Sequence, residues 1–188
     1  MRTRRFRVLI TVAGLALFAT PVRTQDDHRE QLPNFYKVND TLYRGGQPKP
    51  GGWDLLRQLG IKTVINLRDA DTNAEVEEED VLSAGLQYFN FPFERWGRPE
   101  DKEMEQVLSI IKDPANQPVF VHCRHGADRT GVVIAVYRVS RDGWTSRRAR
   151  NEAKRFGLKP WQLGMKDYIH DYEKRKPARP TLPETNDR

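Results

Sequence analysis

Residues 118–139 read PVFVHCRHGADRTGVVIAVYRV, and this stretch limits the possible folds more than any other in the chain. Pro118–His122 is a short run of β-branched and aromatic residues, the composition of a buried strand. From Thr130 the chain reads as a helix, and its VVIAV segment has no polar face, so it must be covered. Between the two lies Cys123–Arg129, a seven-residue loop with Gly126 inside it. A buried strand that turns tightly into a buried helix belongs to a layered α/β architecture.

The rest of the chain alternates in the same way. LYRGGQP (Leu42–Pro48) reads as a short strand ending in a glycine turn. PGGWDLLRQLG carries apolar residues at Trp53, Leu55, Leu56 and Leu59, then Gly60, a helix with a glycine stop. KTVINL (Lys62–Leu67) is a buried-type strand. AEVEEEDVLSAGL is helical, with Val76, Val81 and Leu82 expected inward and the Glu75–Asp80 acids outward as a solvated face. QYFNFPF (Gln87–Phe93) is another strand and ERWGRPED a loop. Pro99-Glu100-Asp101 then opens a helix running to about Lys112, with acids at its positive end. Gly143 stops the VVIAV helix, Thr145 or Ser146 caps one to about Arg155, and WQLGMKDYIHDYEKR is the last. No internal repeat appears. The expected fold is a three-layer α/β domain, a central mainly parallel sheet flanked by helices, over residues 34–175. Residues 25–33 read as a polar lead-in. The tail 176–188 has three prolines and no apolar period and is expected to be disordered.

The N-terminus belongs to no such domain. MRTRRFR is basic, Val8–Ala19 is an apolar run of 12 residues, and a polar stretch with small residues follows. That is the layout of a secretory signal over residues 1–24, and the run is shorter than an ordinary membrane span. Export to a periplasm or the medium is expected, and an inner-membrane anchor formed by residues 8–19 is the alternative. Without residues 1–24, which hold five arginines and no acid, the formal charge falls from +6 to +1. The charge therefore gives little reason to expect a nucleic-acid partner. The single cysteine rules out an intrachain disulfide and a cysteine-rich metal site.

That cysteine sits where an anion would bind. In a strand–loop–helix turn, successive backbone N–H groups form a nest and the helix dipole adds positive charge. Here the nest is expected to run over Cys123, Arg124, His125, Gly126, Ala127, Asp128 and Arg129. Gly126 bends where a Cβ would crowd the anion, and Gly131 allows close packing behind. Arg129 can fork two N–H donors onto two phosphate oxygens, and Thr130 places a hydroxyl back toward the sulfur. A thiol at a helix N-terminus beside an arginine titrates well below the free value of about 8.5. Cys123 then attacks phosphorus, the alcohol leaves, and water hydrolyses the phosphocysteine. Neither a metal nor a cofactor is expected.

HCRHGADRTG resembles the His-Cys-x5-Arg-Thr/Ser signature of the cysteine-based protein-tyrosine phosphatase superfamily. LYRGGQP, LLRQLGIKTVINLR, GLQYFNFPF and NQPVFVHCRHGADRTG follow the order seen in small atypical dual-specificity phosphatases of the plant-and-fungal type and their bacterial relatives. The resemblance covers roughly Leu42–Tyr172. It implies Cys123 as nucleophile, Arg129 as phosphate clamp and Thr130 as the hydroxyl that helps the sulfur leave. It implies His122 as a brace of the loop, where a core histidine at a strand end is the alternative.

The leaving oxygen also needs a proton. Asp128, inside the loop, is the first candidate, by similarity to the Asp-Arg-Thr ending of myotubularin-type lipid phosphatases. Asp101 is the second and Glu94 the third, although Asp101 also reads as a helix N-terminal charge. Arg95, Trp96 and Arg98 are candidates for a pocket wall. The expected activity is that of a tyrosine or dual-specificity protein phosphatase, acting as a monomer on a phosphoprotein. The alternatives are a phosphoinositide or inositol (pyro)phosphate phosphatase, a pseudophosphatase that only binds phosphate, and a rhodanese-type sulfurtransferase.

Overall fold

The structure, a computed structural model, describes residues 28–69 and 72–175. The expected signal segment and the tail lie outside the described residues. The elements in order are β1 (Tyr36–Asn39), β2 (Leu42–Gly46), α1 (Gly52–Gln58), β3 (Thr63–Asn66), α2 (Thr72–Ser83), β4 (Gln87–Asn90), α3 (Asp101–Lys112), β5 (Val119–Cys123), α4 (Asp128–Ser140), α5 (Ser146–Arg155) and α6 (Leu163–Arg175). The sheet order is β1-β2-β5-β3-β4, with only β1 antiparallel to its neighbour.

β5 lies at the centre and all five of its residues are buried. Its side chains alternate between two cores, as strand geometry requires. Val119, Val121 and Cys123 join the larger core, which contains residues of α3, α4, α5 and α6. Phe120 joins the smaller core with Leu55 and Leu56 of α1, Val64 of β3 and Val81 of α2. Helices on both faces of a parallel sheet make the expected three layers. The apolar α4 is covered by its neighbours: every residue from Arg129 to Tyr137 is buried. Ligands of such sheets bind beyond the carboxyl ends of the strands, where β5 hands the chain to α4.

Three expectations need correction. In α2, Val76 and Leu82 are exposed, and the inward residues are Ala74, Glu77 and Val81. These recur at intervals of three and four, so one helical face takes them all. The acid run is therefore not wholly a solvated face, because Glu77 is buried. Residues 28–33 are part of the folded domain rather than a lead-in. Leu32 is buried in the smaller core, and the Pro33 carbonyl accepts from Gly46 N–H at 2.7 Å. β1 was not expected as a strand; it is a short edge on which only Val38 is buried, too little to show a pattern.

Candidate active site

Cys123 ends β5 with 3% of its surface exposed. Arg124–Ala127 form the loop, and α4 begins at Asp128. The first intrahelical bond is Gly131 N–H to the Ala127 carbonyl, 2.7 Å. The N–H groups of the first turn have no partner within the helix and are available to an anion.

The loop is held from behind by residues far away in sequence. Asn34 Nδ2 donates to the carbonyls of His125, Gly126 and Phe156 at 3.3, 3.0 and 3.1 Å. Asn34 itself sits at φ 53°, a conformation that asparagine tolerates. Arg44 Nη2 donates to the same Gly126 carbonyl at 2.6 Å. Gln47 N–H reaches the Arg124 carbonyl at 3.3 Å. β2 passes so close that only glycine fits on either side. A Cβ on Gly126 would lie 2.4 Å from the Gly45 carbonyl carbon, and one on Gly46 would lie 3.0 Å from that of His125. Gly126 is therefore needed against β2 behind the loop, and not because a side chain would crowd the anion. Its φ of 67° reinforces the requirement. Gly131 is not crowded: a Cβ there would meet Ala153 Cβ at 3.6 Å, an ordinary contact.

Cys123 and Arg129 line one cavity of about 140 Å³, together with Arg95, Trp96, Arg124, His125, Asp128, Lys159 and Gln162. Arg129 is buried, and its Nη1 lies 3.3 Å from the Phe93 carbonyl and 3.4 Å from Asp69 Oδ1. A broader basin of about 670 Å³ adjoins it, with Lys49, Arg68, Arg95, Arg124 and Arg129 as its cations and Asp69 as its acid. Burial, then the Arg124 and Lys159 charges, hold the His125 imidazole below its usual 6.5, against the pull of Asp128. Thr130 Oγ1 is buried and makes no hydrogen bond among the described residues.

The three candidate acids fall in different places. Asp128 lines the cavity, and its Oδ1 accepts from Lys159 N–H at 2.9 Å. Asp101 does not line it. Its carboxylate is bound by Tyr168 Oη at 2.8 Å and by both terminal nitrogens of Arg175, tying α3 to α6. Those hydrogen bonds, Arg175 first, hold the Asp101 carboxyl below its usual 3.8. Glu94 is exposed and lines neither cavity. Arg95 and Trp96 line the Cys123 cavity, whereas Arg98 pairs with Asp171 at 2.8 Å.

His122 braces nothing in the loop through its ring. The ring faces the smaller core, stacked on Phe120 at 5.5 Å and edge-on to Trp53 at 5.8 Å. Glu77 Oε1 lies 2.9 Å from His122 Nε2, an ion-pair distance without hydrogen-bond alignment. Gln47 Nε2 donates to Glu77 Oε2 at 2.6 Å, and Arg68 Nη1 donates to Gln47 Oε1 at 2.6 Å. Sequence reasoning missed Asn34, Arg44, Glu77, Lys49, Asp69 and Lys159. Of these, Asp69 and Lys49 had a usable signal: each stands three residues past the carboxyl end of a parallel strand, β3 and β2 respectively.

Comparisons with known proteins bear on the family and the fold. The family described as "DSP-PTPase phosphatase fused to NAD+ Kinase" matches residues 15–166. The dual specificity protein phosphatase TpbA of Pseudomonas aeruginosa is 29% identical over 162 residues, covering 80% of this chain and 72% of that protein. The tyrosine-protein phosphatase-like protein OCA2 of Saccharomyces cerevisiae is 34% identical, covering 72% of this chain and 69% of that protein. Inositol diphosphatase DSP4 of Arabidopsis thaliana is 33% identical over 109 residues, and the match spans 54% of its length. The crystal structure of P. aeruginosa TpbA superposes with a TM-score of 0.62 at 29% identity, over 73% of this chain and 84% of that one. The core catalytic domain of the PP-IP phosphatase SIW14 of S. cerevisiae, in complex with citrate, shares the fold with a TM-score of 0.66 at 23% identity, over 76% and 86%. The chain belongs to the matched family and is a phosphatase of the small atypical dual-specificity kind.

Proposed function

We propose that the chain hydrolyses phosphoric monoesters through a phosphocysteine on Cys123. The observation that carries this reading is the shared cavity of Cys123 and Arg129 at the N-terminus of α4. The phosphoryl group sits in the loop, and Arg129 and the first-turn amides hold its equatorial oxygens. Cys123 sulfur attacks phosphorus, and the P–O bond to the leaving alcohol breaks. Asp128, the carboxyl group that lines the cavity, gives that oxygen its proton and then takes one from the attacking water. The Thr130 hydroxyl, which has no partner among the described residues, donates to the sulfur as it departs.

A protein phosphotyrosine or phosphoserine/threonine is the leading substrate class, in line with TpbA, which has also been crystallised as a cysteine-to-serine variant in complex with pTyr. One observation favours a second class, the inositol polyphosphates. The adjoining basin presents five cationic side chains and one acid, so it suits a substrate with phosphate groups beyond the one cleaved. The names of DSP4 and SIW14 point the same way. Export remains the expectation for the full chain.

The test is phosphate release from an aryl phosphate, phosphopeptides, a phosphoinositide and an inositol polyphosphate, with EDTA present. Turnover is expected to fall to background in Cys123→Ser and to survive EDTA. Persistent turnover in that variant would overturn the mechanism. Asp128→Asn is expected to slow esters of poor leaving groups far more than those of good ones, and equal slowing would remove Asp128 as the acid.

A further inference from the structure

Arg44 is 1% exposed, the largest fully buried side chain described. Taking an arginine out of water costs several kcal/mol unless an anion compensates it. Among the described residues Arg44 has no ion-pair partner, and its Nε and Nη1 make no hydrogen bond. The acid that most favours its charge, Glu152, is committed elsewhere, with Arg138 donating to it at 2.9 and 3.1 Å. What Arg44 does contact is the underside of the phosphate loop. Nη2 holds the Gly126 carbonyl at 2.6 Å, and the guanidinium lies 4.1 Å from the Phe156 ring centroid. Burial brings its pKa down to about 10, so it stays charged at neutral pH, and Cys123 is one of the groups that favour the charge. An apolar residue in the middle of β2 would fill this space without the desolvation cost. A buried charge with no ion-pair partner among the described residues, set under a loop whose cargo is an anion, is matched by the Cys123 thiolate and more fully when the loop is loaded.

We propose that Arg44 is a positioning residue of the phosphatase reaction, whose buried guanidinium balances the Cys123 thiolate and the bound phosphoryl group while turning the Gly126 carbonyl away from the cavity. This rests on Cys123 as the nucleophile. The other charges facing Cys123 come from Arg124 and His125 in its own loop, Asp128 and Arg129 on α4, Arg95 after β4, and Lys159 after α5. Besides Cys123, Arg44 feels Glu152 on α5 and Arg138 on α4. The variants below alter none of these.

Cys123 is the only thiol in the chain, so its alkylation by iodoacetamide can be followed against pH without any turnover. Arg44→Met keeps the bulk and removes the charge. Its alkylation midpoint is expected to move to higher pH, leaving about tenfold less thiolate below the midpoint, with the acid limb of kcat/KM moving in step. Arg44→Lys is expected to keep the wild-type midpoint while losing kcat, because it retains the charge but not the planar donor. A folded Arg44→Met with the wild-type midpoint would overturn the proposal. Should Arg44→Met fail to fold, Arg44→Gln is read in its place. If both uncharged variants unfold while Arg44→Lys alkylates and turns over like wild type, Arg44 is a folding element and the proposal is wrong. Turnover that survives Cys123→Ser would instead refute the nucleophile, and the alkylation curves separate the two failures.

Discussion

Two glycines five residues apart are expected to respond oppositely to the same added methyl. In Gly126→Ala the new Cβ would lie 2.4 Å from the Gly45 carbonyl carbon and 2.5 Å from the Gly46 nitrogen. Both neighbours are backbone, so the clash cannot be relieved by rotating a side chain. An ordinary contact begins at 3.4 Å, so loop and β2 must separate by about 1 Å. That separation stretches the Arg44 and Asn34 bonds to the Gly126 carbonyl, each worth about 1 kcal/mol. A φ of 67° adds about 1–2 kcal/mol of strain for alanine. The total is about 3–4 kcal/mol, which for a domain of this size lowers Tm by about 6–16 °C. Gly131→Ala meets only Ala153 Cβ at 3.6 Å and Leu158 Cβ at 3.9 Å, and it lies inside a helix. There alanine is expected to be neutral or to stabilise by up to about 1 kcal/mol. Urea unfolding with phosphate release on both variants checks this. A Gly126→Ala protein with wild-type Tm and turnover would refute the packing argument.

Asp101→Asn is expected to leave turnover intact, because the carboxylate is tied to Arg175 and Tyr168 outside the cavity; a large loss of kcat would return Asp101 to the acid's role. The same group sets a pH dependence. With its carboxyl held below 3.8, the α3–α6 tie is complete above that pH and lost as pH falls through the lowered folded value. The exposed pair contributes at most about 1 kcal/mol, so wild type and Asp101→Asn should converge in acid. Glu77→Ala is expected to destabilise by about 1–3 kcal/mol by taking away the buried acceptor of the Gln47 Nε2 hydrogen bond, and an unchanged urea midpoint would refute that role.

What the sequence revealed and what it hid follow from the range of the interactions. The strand–loop–helix at Val119–Ser140 was legible because its signals are local: a β-branched run, a glycine at positive φ, an all-apolar helix. The helix bounds of α3 and α5 were legible for the same reason, since acids at Asp101 and Glu103 and the Thr145 cap act within one turn. Asn34 and Arg44 were not legible, because they act on the loop across 92 and 82 residues of chain. No spacing rule connects such positions until β2 is known to pair with β5. Glu77 was hidden differently. It lies in a run of five acids, and composition favoured solvent for all of them, whereas helical phase buries one of the five. Val76 and Leu82 were misplaced by the same error, since hydrophobicity was weighed there ahead of period.

The charge of the site shows why bulk composition is a poor guide to substrate. Without residues 1–24 the chain is nearly neutral, at +1. Yet the basin in front of Cys123 gathers Lys49 after β2, Arg68 after β3, Arg95 after β4 and Arg124 after β5. A parallel sheet ends all these strands at one edge, so one cation just beyond each carboxyl end makes a concentrated field that the totals conceal. The acids are distributed differently: Glu75, Glu78 and Glu79 are exposed on α2, while Asp80 shares a neighbouring hollow with Lys49, Arg68 and Glu77. Asp69 and Asp128 are the acids that line the two cavities, and each is engaged, with Arg129 and with the Lys159 amide respectively. Arg68 is partly neutralised by Glu77 at 3.9 Å, which leaves Lys49, Arg95 and Arg124 as the cations most available to a second phosphate. On the proposed reading, discrimination between a lone phosphotyrosine and a polyphosphate is expected to rest on those three. Replacing them together should raise KM for an inositol polyphosphate while sparing an aryl phosphate, since only the first reaches beyond the loop.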